Sequence, residues 1–207
     1  GFTTLPLALR GNLESMDINK KNENGYDLTA VLFTPDKESP GTVESLVDFS
    51  EKVDATWQHS PDGKKHEVTL TNVPAGMKGE RILRLSVSSN KLGVEKADVV
   101  TVSIPDQNDF SVYDVVYVSE PECYVEVAFT KLLDSAQDMR GLAFIAGNTS
   151  ETVNVDGNKL RLYPDADLRE KGAMNIHLNQ GIRSKSGLNL KEAVVRQVVA
   201  NEQKPNV

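Results

Sequence analysis

Short runs of alternating apolar and polar residues, broken by Gly, Pro, Asn and Asp, recur along almost the whole chain. That rhythm constrains the fold more than any other feature, because period-two alternation suits a half-buried strand and cannot line one face of a helix. YDLTAVLFTP (26–35) sets Tyr26, Leu28, Ala30 and Leu32 on one side, with Val31 and Phe33 on the other. It reads as a strand buried on both faces near its end, stopped by Pro35, Pro40 and Gly41. HEVTLTNV (66–73), GERILRLSVSS (79–89) and KADVVTVSIP (96–105) alternate in the same way. Ahead of them, residues 3–20 read as an apolar and then polar lead-in, and NKKNENG (19–25) as a turn-rich break.

The same style resumes after DQNDF (106–110), a polar stretch behind Pro105 where few contacts should cross. Strands are expected at 111–119, 124–130, 141–147, 151–164, 172–181 and 189–200. Asp156-Gly157-Asn158 splits the fourth of these into a hairpin, since Gly and Asn tolerate positive φ. Two segments compete with helix. TVESLVDFSEKVDATWQHS (42–60) carries a helical stripe of Val43, Leu46, Val47 and Val53 that Thr42 could cap, yet Val47, Phe49 and Trp57 fit short strands. NLKEAVVRQVVA is settled by its β-branched run. For 42–60 the β surroundings favour strands, and for NLKEAVVRQVVA the preceding Ser-Gly turn does so as well.

Two internal echoes support a duplicated layout. RILRLSVSSNKLGVEKADVVTVSI (81–104) matches residues 173–199 as strand, Gly-containing polar turn, Leu and strand, and LVDFSEKVD (46–54) echoes VAFTKLLD (127–134). Regularly spaced short strands with turn signals predict an all-β chain of two tandem antiparallel β-sandwiches. The expected domains are residues 1–106 and 107–207.

Composition removes several function classes. Charged residues make up 26% with a net charge of −7, so no basic stripe stands ready for nucleic acid and no polybasic anchor for a membrane. No run of 18 apolar residues and no signal peptide occurs. Gly1 in place of Met, and a Pro-containing polar tail, read as the edges of a piece cut from something longer. Cys123 is the single cysteine; beside a strand start it reads as a small filler rather than a nucleophile.

The remaining chemistry-bearing residues offer candidate sites. His59 and His66 flank SPDGKK and could meet across a hairpin, but Asp62 alone is a poor third metal ligand. His177 falls on the solvent side of its strand. Asp134/Asp138, Asp156 and Asp165/Asp167 lack the spacing of a calcium loop, and DADLRE suits helix or turn capping. Trp57 is either a core residue between sheets or an exposed ligand platform. Asn148-Thr149-Ser150 spells a glycosylation sequon and reads as a loop coincidence. No nucleophile–base pair, phosphate loop or dinucleotide fingerprint is present, so no enzyme, catalytic residue, metal or cofactor is expected.

In VEVAFTKLLDSAQDMRGLAFI the strand ends at Phe129-Thr130 and a corner must follow. Leu132 or Leu133 should fold inward, Asp134 should receive backbone N–H groups, and 134–138 should form one helical or 3₁₀ turn before Gly141 frees the chain. The ordered set of this corner, VNVDGNKLRLYP and AMNIHLNQGIRSKSGLNL resembles an Ig-like repeat near the N-terminus of bacterial α2-macroglobulins, the Bacteroidetes type above all. The first half, with WQHSPDGKKHEVTLTNV and an Ile-Pro…Asp-Phe junction, is similar to the domain preceding it there. The resemblance covers residues 26–200. It implies a structural or interaction region of a protease inhibitor that entraps its target after bait cleavage. It also implies a periplasmic or outer-membrane-anchored lipoprotein parent, with other parent domains and proteases as partners. The family's Cys-x-Glu-Gln thioester is absent from this chain. A carbohydrate- or surface-binding module of an exported protein is the alternative, resting on Trp57.

Overall fold

The computed structural model describes residues 9–87, 97–150 and 152–200. The Gly-containing turn expected after Val87, the readings of the chain's opening and tail, and Glu151 lie outside them. Two compact units divide between Gln107 and Asn108. The first contains β1 (Arg10–Asn19), β2 (Asn22–Phe33), α1 (Pro40–Leu46), β3 (Val47–Phe49), β4 (Asp54–His59), β5 (Lys65–Pro74), β6 (Arg81–Val87) and β7 (Ala97–Ile104). The second contains β8 (Val112–Val118), β9 (Tyr124–Phe129), β10 (Ala143–Ile145), β11 (Val153–Asp156), β12 (Lys159–Leu162), α2 (Ala166–Lys171), β13 (Ala173–Leu178) and β14 (Val194–Val199).

Each unit is a β-sandwich of one four-stranded and one three-stranded antiparallel sheet. The first pairs β1-β2-β5-β4 against β3-β6-β7, and the second pairs β8-β9-β12-β11 against β10-β13-β14. Counted within its own unit, each reads first-second-fifth-fourth and third-sixth-seventh. That is the strand order of the seven-stranded immunoglobulin constant-type sandwich, reached twice in one chain. Inward residues close each interior: Leu28, Ala30, Leu32, Val68, Leu70, Leu83, Leu85 and Val102 in the first, Val125, Val127, Leu160, Leu162, Ile145, Met174, Ile176 and Leu178 in the second. Fully burying one such aliphatic side chain contributes about 1.5–3 kcal/mol.

The lead-in expected over 3–20 is instead a strand from Arg10. β1 pairs with β2 from Arg10↔Phe33 to Asn19↔Asn22, so the break at 19–25 shrinks to a tight turn at Lys20-Lys21. β1 is an edge strand with Met16 as its one buried apolar side chain, and its pairing depends mainly on backbone hydrogen bonds. A side chain at Gly11 would crowd the core, since its Cβ would lie 2.5 Å from Leu32 Cδ2 and 2.7 Å from Val100 Cγ2.

Residues 42–60 use both competing readings. Ser39, rather than Thr42, caps α1 by accepting the Thr42 N–H, and Pro40 sits in the first turn where its missing N–H costs nothing. Val43 and Leu46 are the helix's buried stripe, and the chain becomes extended at Val47. The 46–54 echo of 127–134 is therefore compositional, since the first spans the end of α1 and β3 while the second spans the end of β9 and a corner. The other echo is structural: β6–β7 and β13–β14 each close their unit. The strands expected at 141–147 and 189–200 shorten to 143–145 and 194–199.

Candidate functional site

The corner motif of the second unit serves architecture. Leu133, not Leu132, is buried, and its N–H reaches Gly157 O at 2.9 Å. Asp134 Oδ1 accepts the Ala136 N–H at 3.1 Å, and 134–138 forms a hydrogen-bonded turn rather than a helical one. The Gln137 amide clamps the following loop, donating to Gly181 O at 2.8 Å and accepting from Arg183 N at 2.8 Å. Lys185 N–H closes onto Leu132 O at 2.7 Å. Gly157 alone of the hairpin pair takes positive φ, at 62°.

The first unit closes its equivalent end differently. In both units the chain leaving the second strand docks on the hairpin between the fourth and fifth through the same two backbone bonds. Thr34 N–Lys64 O (3.0 Å) and Glu38 N–Gly63 O (2.9 Å) in one correspond to Phe129 N–Asn158 O and Leu133 N–Gly157 O (both 2.9 Å) in the other. The registers agree: Leu32, His66 and His59 lie abreast across β2, β5 and β4, as Val127, Leu160 and Val155 do across β9, β12 and β11. Three apolar positions of the second unit, Phe129, Leu160 and Val155, are thus occupied in the first by Thr34, His66 and His59.

Those polar residues form a continuous hydrogen-bonded chain. Glu44 Oε1 on α1 lies 3.0 Å from His59 Nε2, and His59 Nδ1 lies 2.9 Å from His66 Nδ1. His66 Nε2 lies 3.3 Å from Thr34 Oγ1, which donates to Asp36 O at 2.7 Å. The rings meet edge-on at 5.2 Å, and Trp57 stacks on His59 at 5.8 Å with an interplanar angle of 5°. His66 and Thr34 are buried, the His59 side chain is 14% exposed, and Glu44 is 44% exposed. Burial first, and the adjoining His59 second, hold the His66 imidazole below the ordinary histidine range, against weaker opposition from a hydrogen bond to the Gly63 backbone and from Glu38 and Asp62.

Matching donors to acceptors assigns the protons. The Thr34 hydroxyl has one hydrogen and two carbonyl acceptors, Asp36 O at 2.7 Å and Gly63 O at 3.3 Å, so its lone pair receives an N–H from His66 Nε2. A neutral His66 then has a bare Nδ1, which accepts from His59 Nδ1–H. His59 Nε2 faces a carboxylate and must donate as well. All contacts are satisfied when the pair carries one proton more than two neutral rings. The chemistry available is proton binding, because the His66 ring and the Thr34 hydroxyl beside it are both buried and closed to substrate.

The other candidate residues have local partners. Asp138 pairs with Arg140 through Nε at 2.9 and 3.0 Å, which pulls its carboxyl down to about 2. Asp165 caps α2 and accepts from Thr149, and backbone hydrogen bonds lower its acidity range. Asp156 faces Arg161 at 3.8 Å. Among the described residues no cluster of three or more His, Cys, Asp or Glu side chains is arranged for a metal. Asn148 donates to both Ser150 O and Tyr163 O, so its amide nitrogen is engaged. Cys123 Sγ donates to Ser119 O at 3.4 Å. His177 stacks on Phe144 at 5.0 Å on the outer face of its sheet. Trp57 is half-buried on edge strand β4, neither enclosed between sheets nor an open platform. A cleft of about 220 Å³ beside β10 and β11, bordered by Arg140, Phe144, Asn148 and Leu162, is smaller than ordinary ligand sites. No described helix is long and apolar enough to cross a membrane.

The sequence singled out the histidine pair by its hairpin position but not its links to Glu44 and Thr34. Those residues come from an α1 and a β2 exit that only the docking brings together. No family model matches the chain, and no curated protein matches it. Among solved structures it is similar to the protocadherin gamma B7 extracellular cadherin domains 1–4 in a P21 crystal form. That similarity has 11% identity and a TM-score of 0.24, covering 92% of this chain and about half (51%) of the other. Likeness at that level transfers neither fold nor function; the immunoglobulin-like assignment rests on the strand order of each unit.

Proposed function

We propose that this chain is a non-catalytic scaffold and interaction region from the N-terminal part of a bacterial α2-macroglobulin-like protease trap. The observation that supports this reading is the order of the motifs: the Phe-Thr-Lys-Leu-Leu-Asp corner, the Asp-Gly-Asn hairpin and the Gly-Ile-Arg-Ser-Lys-Ser-Gly loop. In the fold these motifs interlock at one end of one sandwich, through Leu133 N–Gly157 O, Asp134 N–Arg183 O and Lys185 N–Leu132 O. A set of interlocking corner residues is what a repeated structural module would retain. On this reading the region has no enzyme activity, meets proteases only through its parent, and belongs to an exported, envelope-anchored protein. The half-buried, histidine-stacked Trp57 gives the carbohydrate-binding alternative no platform.

The test is a protease-protection assay on the full parent protein, with and without residues 9–200. A trapped protease should lose activity on a large protein substrate while still cleaving a small peptide. Loss of that discrimination on deletion supports the proposal. A parent that never discriminates between the substrates, or discriminates equally well without this region, overturns it.

A further inference from the structure

The contrast between the two units carries an inference independent of the protease reading. One sandwich closes its second-strand end with Phe129, Leu160 and Val155, which shows that this architecture needs no polar group there. The other sandwich buries an imidazole at the same place and links it outward to a carboxylate on a short helix. Burying polar groups is costly unless every donor and acceptor is matched. Here the match depends on proton count.

We propose that the His59–His66 pair is a proton-operated latch: one bound proton ties α1 to the β4–β5 hairpin, and a second proton releases it. With one extra proton, Glu44, His59, His66 and Thr34 form an unbroken donor-to-acceptor chain across α1, β4, β5 and the end of β2. Within the histidine pair the second proton has one place to go, the bare Nδ1 of His66. It then meets His59 Nδ1–H across 2.9 Å, donor facing donor, with two cationic rings whose centroids lie 5.2 Å apart. Glu44 compensates one charge, and Glu38 and Asp62 face the site from the α1 approach and the β4–β5 turn. None of the three hydrogen-bonds to the buried ring, whose remaining partners are the Thr34 hydroxyl, an acceptor already in use, and the Gly63 backbone. The rings must therefore part.

The element free to move is β4. It is an edge strand held on one side by β5, and it carries both His59 and the Trp57 stacked on it. Without the proton the latch also fails, because a bare His59 Nε2 would face the Glu44 carboxylate. The ligand of this site is the proton, and its partner element is α1.

The two units supply the experiment and its control. The Glu38 amide, bonded to Gly63 O beside the latch, and the Leu133 amide, bonded to Gly157 O in the apolar counterpart, make the same contact. Amide hydrogen exchange of the full chain is followed from pH 8 to pH 4, taking the ratio of the two protection factors so that intrinsic exchange cancels. Protection of Glu38 should fall relative to Leu133 by about tenfold per pH unit once the second proton binds, the slope for one proton. Nitrogen NMR of the imidazoles should report a bare His66 Nδ1 in the latched state. A constant ratio, or a His66 protonated on Nδ1 while Glu38 stays protected, overturns the proposal. The double variant His59→Val/His66→Leu, copying Val155 and Leu160, should make the ratio independent of pH. A pH-dependent ratio persisting in that variant also overturns it. If the variant does not fold, the wild-type ratio and the ring nitrogens decide alone.

Discussion

Placing a histidine where the second unit has Leu160 should be severely destabilising, although the first unit tolerates one at the matching position. Leu160 is fully buried, opposite Val127 and Val155. Leu160→His forfeits about 2–3 kcal/mol of aliphatic burial. The new ring also meets Phe129 where His66 meets the Thr34 hydroxyl, and Val155 where it meets His59. An unmatched buried polar group adds about 1–3 kcal/mol, for a total of about 3–6 kcal/mol. Four of the five tyrosines (Tyr113, Tyr117, Tyr124 and Tyr163) belong to the second unit, and the single tryptophan belongs to the first. Urea unfolding followed by tyrosine circular dichroism and by Trp57 emission therefore separates the two. With a urea slope of about 1–2 kcal/mol/M for a unit this size, the tyrosine midpoint should fall by at least about 1.5 M. A drop below about 0.5 M would refute the positional equivalence, because the ring would then have found partners that the backbone match says are absent.

Three further outcomes are expected. Gln137→Ala removes both bonds to the 181–183 loop and should cost about 1–2 kcal/mol, seen as a lower tyrosine midpoint and faster exchange at the Arg183 amide. Asp138 should titrate at about 2 by carboxyl NMR and return toward the ordinary aspartate range in Arg140→Ala, because the guanidinium is the first cause of the shift. Buried Tyr26, whose hydroxyl is pushed up to about 12 by desolvation, holds its proton in the folded state after the unfolded chain has lost it. Its contribution to stability is therefore complete below pH 10 and declines as pH rises from 10 to 12. A Trp57-monitored unfolding midpoint that stays flat over that interval would contradict the assignment.

Part of this protein was legible in its sequence because burial of a paired strand is a local, period-two signal. Tyr26-Leu28-Ala30-Leu32, Val68-Leu70 and Val125-Val127-Phe129 each mark their own inner face, and Asp-Gly-Asn marks its own turn. β1 left no comparable mark, because an edge strand is held mainly by backbone bonds to its neighbour, which any sequence can make. The 40–49 stretch carried both periods because it is both structures in turn, and the choice of Ser39 over Thr42 as cap fixes where one gives way to the other. What only the tertiary structure decided is the correspondence between the halves. Strand pairing sets Thr34, His66 and His59 against Phe129, Leu160 and Val155, positions that share no residue type and so leave no repeat to read. Pairing partners lie far apart along the chain, and the chemistry of the histidine pair depends on a carboxylate from a different element, 15 residues before His59.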